Sequence, residues 1–414
     1  MKPERALNIA LNISKIYLKF FLIEIWLYLI SFPIIIILRI IFSFYPIRIA
    51  PCRSSVIGNS IAYLDLYLLN KKNEKKKYFD IFYLTKKPVC NLQFLKFVSR
   101  NIKYNFLVKY LFRVNNIIPG GKKLKIDIIH SAPNTDPDKI IYKSSPTLNF
   151  SKDEINRGNK IFSDLKIKKN EKYICLLVRD DMFKKITNKN LDLSYHNFRN
   201  SNIDDYIDTV REFNNRGYKV IRMGNIVEKK MNYLNENFIE YASWSKKDDF
   251  ADIWLMANCY FCITTISGLD EVCVAFRKPL VQVNFLPLEA MRPFAKGISI
   301  FKKLKFKTGD FLSLKEINDL KLINQWKVKE FEQKNVDIIN NTPNEIKEAA
   351  IEMDDRLKKK WTIKESETHL QKKYWKILFN FTRFKKYFWL NDDFKISTNF
   401  LKQNESWLFK DGKN

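Results

Sequence analysis

The residues of this chain best placed to do chemistry are arginines, carboxylates and small residues that follow short apolar runs. Tyr173–Val178 leads straight into Arg179-Asp180-Asp181, and Tyr218–Met223 carries Arg222 and is followed by Gly224. Tyr260–Thr265 is followed by Ser267-Gly268-Leu269-Asp270, and Leu280–Phe285 contains Asn284. Guanidinium groups grip phosphate oxygens through paired charge-assisted hydrogen bonds, each worth roughly 1.5–3 kcal/mol. A glycine allows close backbone approach, and a small residue opening a helix offers backbone amides to an anion. The polar stretch Ser194–Ser201 adds Arg199, Asn200 and Ser201, suited to phosphate or hydroxyl recognition. Asp180, Asp181 and His196 are the groups that could take a proton from an acceptor hydroxyl. Each has a plainer reading. Arg179 could pair with Asp180 or Asp181 for structure alone, and those aspartates could cap the next segment. His196 could be incidental on its loop. Ser267 with Asp270 could be an ordinary helix start, and Asp249 and Asp252 could be first-turn helix acids.

Positioning these groups requires a particular scaffold. The four apolar runs are short, β-branched and aromatic, as buried strands are. Between them lie helix-like segments at Ile203–Asn214, Asp248–Asn258 and Leu269–Phe276. Alternation of this kind predicts an α/β fold with a parallel sheet wrapped by helices. In such sheets ligands bind beyond the carboxyl ends of the strands, where these residues fall.

The totals constrain the rest. A chain of 414 residues accommodates two domains, and 73 basic against 45 acidic residues give a net charge of +28. Lysine-, asparagine- and isoleucine-rich usage together with attraction to an anionic membrane surface accounts for that charge. Nucleic-acid signatures are absent, so no nucleic-acid partner is expected. The six cysteines are scattered, mostly in apolar segments, which suits a reduced compartment. Cys259 and Cys262 form a C-x-x-C without a second pair to complete a zinc site. Asp136-Pro137-Asp138 matches a metal-diphosphate D-x-D element only formally, in a Pro- and Ser-rich loop.

Phe20–Leu38 carries a single charge, Glu24, and as a helix would reach roughly 28 Å. Basic residues flank it on both sides, so the positive-inside rule selects no orientation. An in-plane or re-entrant anchor fits that symmetry better than a span, while a buried helix of a soluble domain is the plainer reading. Residues 1–46 are thus read as a hydrophobic membrane anchor, 47–165 as a first Rossmann-like lobe, and 166–345 as a second. Residues 346–414 are read as C-terminal helices with a basic, aromatic tail. Thr342-Pro343-Asn344-Glu345 is a strong helix start, with hydroxyl cap, proline and capping-box glutamate.

Taken in order, Val178-Arg179-Asp180, Arg199-Asn200-Ser201, Gly217–Gly224, Asp249–Ile253, Ser267–Asp270 and Pro279–Phe285 resemble a family of bacterial glycosyltransferases of surface-polysaccharide loci. The match is dense over about residues 170–290 and thinner at Ile57-Gly58 and Asn399-Phe400-Leu401. Leu177 and Asn59 stand where members often carry histidine. The resemblance implies a two-lobed GT-B fold with a fucosyltransferase-like diphosphate site, independent of metal and of any cofactor. It implies a nucleotide-diphosphate sugar as donor and a lipid-linked or surface glycan as acceptor, at the cytoplasmic face of the inner membrane. Arg179 and Arg222 would hold the diphosphate, helped by Ser267 and the Gly268 amide. Arg199, Asn200, Gly224, Asp270 and Asn284 complete the expected donor site. The competing expectations are a non-catalytic anionic-lipid or nucleic-acid binder on the same scaffold, and another transferase of polysaccharide synthesis.

Overall fold

The computed structural model describes residues 3–126, 140–187, 194–381 and 390–410. The described chain divides into two compact units. The first comprises residues up to Val56 together with Asn70–Ile129; the second comprises Ile57–Leu69 and everything from His130 onward. Arg277 explains why the short Ile57–Leu69 stretch belongs with the second unit. Its Nη1 donates to Asp65 Oδ2 at 2.8 Å and its Nε to the Ser144 carbonyl at 3.0 Å, while Thr147 donates to Asp65 Oδ1 at 2.7 Å. Asp136-Pro137-Asp138 lies outside the described residues.

In the first unit, β1 (Ile47–Cys52), β2 (Phe79–Leu84) and β3 (Lys103–Tyr104) form a parallel sheet in that order. The helix Leu92–Asn101 ends before β3, and a separate helix, Val108–Ile117, follows it. Phe106–Phe112 therefore does not continue the earlier helix, because Lys103 and Tyr104 pair with β2. The long helix Pro3–Ile41 lies against Val108–Ile117. Its Tyr28, Ile35 and Leu38 recur at helical spacing and, with Phe42 just past its end, pack with Ile49, Val108, Val114 and Leu124. Its other faces stay exposed: Phe21, Trp26, Leu29, Ile30, Ile37 and Ile40 are all solvent-accessible.

The second unit is built on a seven-stranded parallel sheet. Its strands are β4 (Tyr173–Leu177), β5 (Lys219–Arg222), β6 (Phe238–Ile239), β7 (Phe261–Thr264), β8 (Leu280–Phe285), β9 (Gly297–Phe301) and β12 (Phe394–Ile396). They stand in the order β12-β9-β8-β7-β4-β5-β6. A small antiparallel pair, β10 (Lys303–Phe306) with β11 (Val336–Ile339), lies outside this sheet. Every residue of β4, β5, β7, β8 and β9 is buried, which is why these strands read as unbroken apolar runs instead of alternating ones. The cysteines follow the same rule: all six are free, and Cys259 and Cys262 are buried without pairing to each other. The helix Pro343–Leu357 starts as its sequence predicts, with Thr342 and Glu345 exchanging capping hydrogen bonds.

The strand order carries a functional consequence. From β4 the chain builds outward through β5 and β6, then returns to the other side of β4 with β7 and proceeds through β8 and β9. The order therefore reverses between β4 and β7, and a crevice at the carboxyl ends of those two strands is where open parallel sheets bind ligands.

Candidate active site

At this reversal, backbone and side chains from successive strand ends are tied together. The Arg179 amide, just past β4, donates to Thr265 Oγ1, just past β7, at 2.9 Å. Arg179 Nε donates to Asn200 Oδ1 at 3.2 Å, and the Ser201 amide donates to the Arg179 carbonyl at 3.1 Å. Arg199 Nη2 donates to the Ile266 carbonyl at 3.1 Å, with its guanidinium 5.0 Å from the Trp326 ring centroid. Lys302, directly after β9, donates through Nζ to the Asn200 carbonyl at 2.8 Å and to Asn340 Oδ1 at 2.7 Å. Three cations from β4, from the Ser194–Arg199 turn and from β9 thus converge around Asn200.

What these cations lack is a carboxylate. Among the described residues, none of Arg179, Arg199 and Lys302 has an acidic oxygen within 4 Å, although several other arginines do. Burial and mutual repulsion then disfavour their charged forms. Burial, reinforced by the Arg179 charge, pushes the Arg199 guanidinium down to about 9. The same two causes push the Lys302 ammonium down to about 7, with Asp205 opposing and Arg199 adding a smaller repulsion. Arg179 is lowered by burial, with Asp181 and Asp180 acting in the other direction.

Backbone strain marks the same edge. Ile266 adopts φ +57° and Asn284 φ +50°. A β-branched residue in the left-handed region is a true outlier, of the kind that collects at ligand sites. Ile266 is held there by the Thr264 hydroxyl, which accepts from its amide at 3.0 Å, and by Arg199 on its carbonyl. Gly58, at the start of the helix Ile57–Asn73, meets this loop so closely that a Cβ would lie 2.6 Å from the Gly268 carbonyl oxygen.

Several expected site residues also make contacts within the scaffold. Arg222 is almost fully buried, and its Nη1 donates to Glu240 at 3.2 Å and to the Lys229 carbonyl at 2.6 Å. Gly224 follows it at φ +154°, where a Cβ would press on Val227. The Asp270 carboxylate accepts from Thr264 Oγ1 at 2.8 Å, from the Ser267 amide at 3.2 Å and from Arg292 at 3.0 and 3.1 Å. Arg292 also pairs with Glu271 at 2.6 Å, so this buried arginine is neutralised twice over. Asn284 is fully buried and exchanges hydrogen bonds with Asn341 at 2.7 and 2.6 Å, while its Nδ2 donates to Ser201 Oγ at 3.0 Å. Asp180 accepts from the Met182 and Glu228 amides, both at 3.1 Å, and buried Asp181 pairs with Lys185 at 2.9 Å. His196 sits on the same turn as Arg199 with its ring 4.0 Å from that of Tyr195. Asp252 accepts from the Tyr241 hydroxyl at 2.6 Å, and burial pushes its carboxyl up to about 6.

Lys302, Asn340 and Thr265 are the members that motif reading passes over. Thr265 sits inside a recognised strand, and Lys302 is one lysine among many, yet it follows the apolar run Gly297–Phe301, as Arg179 follows its own. Among the described residues no three His, Cys, Asp or Glu side chains form a set that could hold a metal ion.

No protein-family model and no curated protein matches this sequence. The fold is similar to solved structures of low identity. A glycosyl transferase family 9 protein from Veillonella parvula matches at 11% identity and TM-score 0.44, over 75% of this chain and 97% of that one. E. coli ADP-heptose lps heptosyltransferase II matches at 13% identity and TM-score 0.36, over 61% and 90%. The iron-containing dodecameric glycosyltransferase TibC from enterotoxigenic E. coli matches at 10% and 0.36, over 75% and 77%.

Proposed function

We propose that the protein is a GT-B-type glycosyltransferase. It moves a sugar from a nucleotide-diphosphate donor to a lipid-linked or surface glycan acceptor. The observation that carries this reading is the pair of arginines, Arg179 and Arg199, at the β4/β7 reversal, neither of which has an acidic oxygen within 4 Å among the described residues. A diphosphate supplies the missing negative charge. As the sugar leaves, charge accumulates on the departing diphosphate, and donors fixed in advance stabilise that transition state more than the ground state. Asn200 orients Arg179, and the Gly268 amide adds a further donor at the same edge. This arrangement needs no metal to carry the charge. His196, on the same turn as Arg199, is the group assigned to take the acceptor proton. His196→Gln should lower turnover and leave donor affinity unchanged. The reading fails if no nucleotide sugar in a broad panel raises the melting temperature, because a true donor binds the native state alone.

Attachment to a membrane is part of the proposal. The apolar surface of Phe21–Ile41 and the basic net charge suit an anionic bilayer, on the cytoplasmic face of the inner membrane. The contacts of this helix favour lying in the surface plane. Glu24 meets Tyr110 at 3.3 Å and Lys109 at 3.6 Å, Tyr28 accepts from Arg113 at 2.6 Å, and Arg39 donates to Asn115 Oδ1 and the Pro119 carbonyl at 2.8 and 2.7 Å. The helix is thereby fastened from Glu24 to Arg39, roughly 22 Å of its length, by residues of Val108–Ile117 and the turn that follows it. Spanning would drag Lys109 and Arg113 into hydrocarbon at roughly 2.5–3.5 kcal/mol each. Trp26→Asp with Leu29→Asp, both on exposed positions, should release the protein from anionic vesicles while leaving its melting temperature nearly unchanged.

A further inference from the structure

We propose that Lys302 is the third cation of the diphosphate site and takes up a proton when the diphosphate binds. This rests on the donor-site reading above and adds to it a residue and a linkage that the arginines alone do not supply.

The geometry comes first. Lys302 is 2% exposed, yet its Nζ reaches only two neutral acceptors, the Asn200 carbonyl and Asn340 Oδ1. Asn200 is shared: its backbone oxygen faces Lys302 while its side-chain oxygen receives Arg179 Nε. Lys302 and Arg179 are therefore neighbours across one residue, and Arg199 precedes that residue in the chain. A purely structural buried lysine finds a carboxylate, as Lys303 does next door, with its Nζ 2.9 Å from Glu345. Lys302 is repelled by Arg179 and, less strongly, by Arg199, and is attracted by Asp205. Burying a third positive charge beside two others is unfavourable unless an anion arrives or the proton leaves.

Both resolutions operate, in different states. Without ligand, burial and the two arginines bring Lys302 down to about 7, so that at pH 7.5 it is largely neutral. A diphosphate placed against the cluster reverses the local field, and the amine then holds its proton. The balance is simple: the ligand enters, one water-borne proton moves onto Nζ, and no covalent bond changes. By linkage, binding that takes up a proton weakens as pH rises above 7.

The test is calorimetric, on the full chain in detergent. Inorganic pyrophosphate and ADP, GDP and UDP are titrated at pH 7.5 in two buffers of different ionisation enthalpy, so that the difference in heat counts protons taken up. Wild type should take up a sizeable fraction of a proton with its best diphosphate. Lys302→Arg keeps the charge permanently, so it should bind comparably without proton uptake. Lys302→Met should bind about tenfold or more weaker, also without uptake. The arginine variant guards against misreading a folding defect in the methionine one. Unchanged affinity and unchanged uptake in both variants would overturn the role of Lys302 while leaving the donor site standing. Pyrophosphate binding with Lys302-dependent uptake, but no tighter binding of any nucleoside diphosphate, would keep Lys302 and remove the nucleotide-sugar reading. No binding by any probe would remove both.

Discussion

Arg179 and Arg222 both stand near the carboxyl ends of adjacent parallel strands, yet their surroundings make them different residues. Arg222 is the last residue of β5, level with Leu176 of β4, whereas Arg179 lies two residues past the end of β4. The Lys229 carbonyl, from the loop after β5, and Glu240, just past β6, both meet the Arg222 guanidinium. Arg179 has Asn200 as its side-chain partner and two further cations nearby. A strand end followed by arginine says that a positive charge will lie at the ligand edge of the sheet. Whether that charge serves the scaffold or a ligand is decided by where the nearest carboxylate falls, which is a matter of tertiary structure. Arg292 repeats the Arg222 case, with Asp270 and Glu271 as its two counter-charges.

The largest effect should come from breaking the satisfied arginine. Arg222→Ala leaves Glu240 without its partner, and losing one member of a buried pair destabilises by about 3–5 kcal/mol. Chemical denaturation should show that loss, and the joint replacement Arg222→Met with Glu240→Leu should recover much of it. Arg179→Ala should do the reverse. It removes a fork of donors from a growing negative charge, raising the barrier by about 2–4 kcal/mol with little change in stability. A lysine at 179 should restore only part of the rate, because a point charge cannot reproduce the two-pronged contact.

A smaller effect separates the two regions by pH. The unliganded Lys302 ammonium lies at about 7, below its ordinary value, and diphosphate binding raises it. The protonated form binds better, so donor affinity should hold below pH 7 and fall by up to about tenfold per unit above it, near 1.4 kcal/mol. With Lys302→Arg that slope should flatten across pH 7–8.5. Arg222→Met/Glu240→Leu should leave it unchanged, since that pair stands outside the cation cluster.

How much of this was legible in the sequence follows from which forces are local. The strands around Arg179, Arg222, Ser267 and Asn284 announced themselves because a doubly covered parallel sheet demands unbroken apolar runs. The carboxyl edge followed from alternation with helices, and the Thr342 start from local capping chemistry. Lys302 did not show, because in a chain with 73 basic residues one more lysine after Phe301 carries no local signal. β12 did not show either: Phe394–Ile396 is short and sits in an aromatic tail, and only pairing with Gly297–Ser299 makes it a strand. Asp270 and Asn284 stood at the right edge, but nothing local foretold that Arg292 and Asn341 would occupy them. The exposed faces of the amino-terminal helix were readable as apolar, whereas its fastening through Glu24 and Arg39 rests on residues distant in the chain.

The most direct test of the central claim, that Arg179 holds the donor diphosphate at the sheet reversal, is to measure melting temperature and donor turnover together on wild type and Arg179→Ala. A panel of nucleotide sugars should contain one that stabilises wild type by roughly 2.7 kcal/mol at a hundred times its dissociation constant. Arg179→Ala should melt near the wild-type temperature without ligand, gain little from that donor, and turn it over hundreds of times more slowly. An alanine variant that melts several degrees lower, yet binds and turns over the donor as wild type does, would contradict the account and return Arg179 to a structural role.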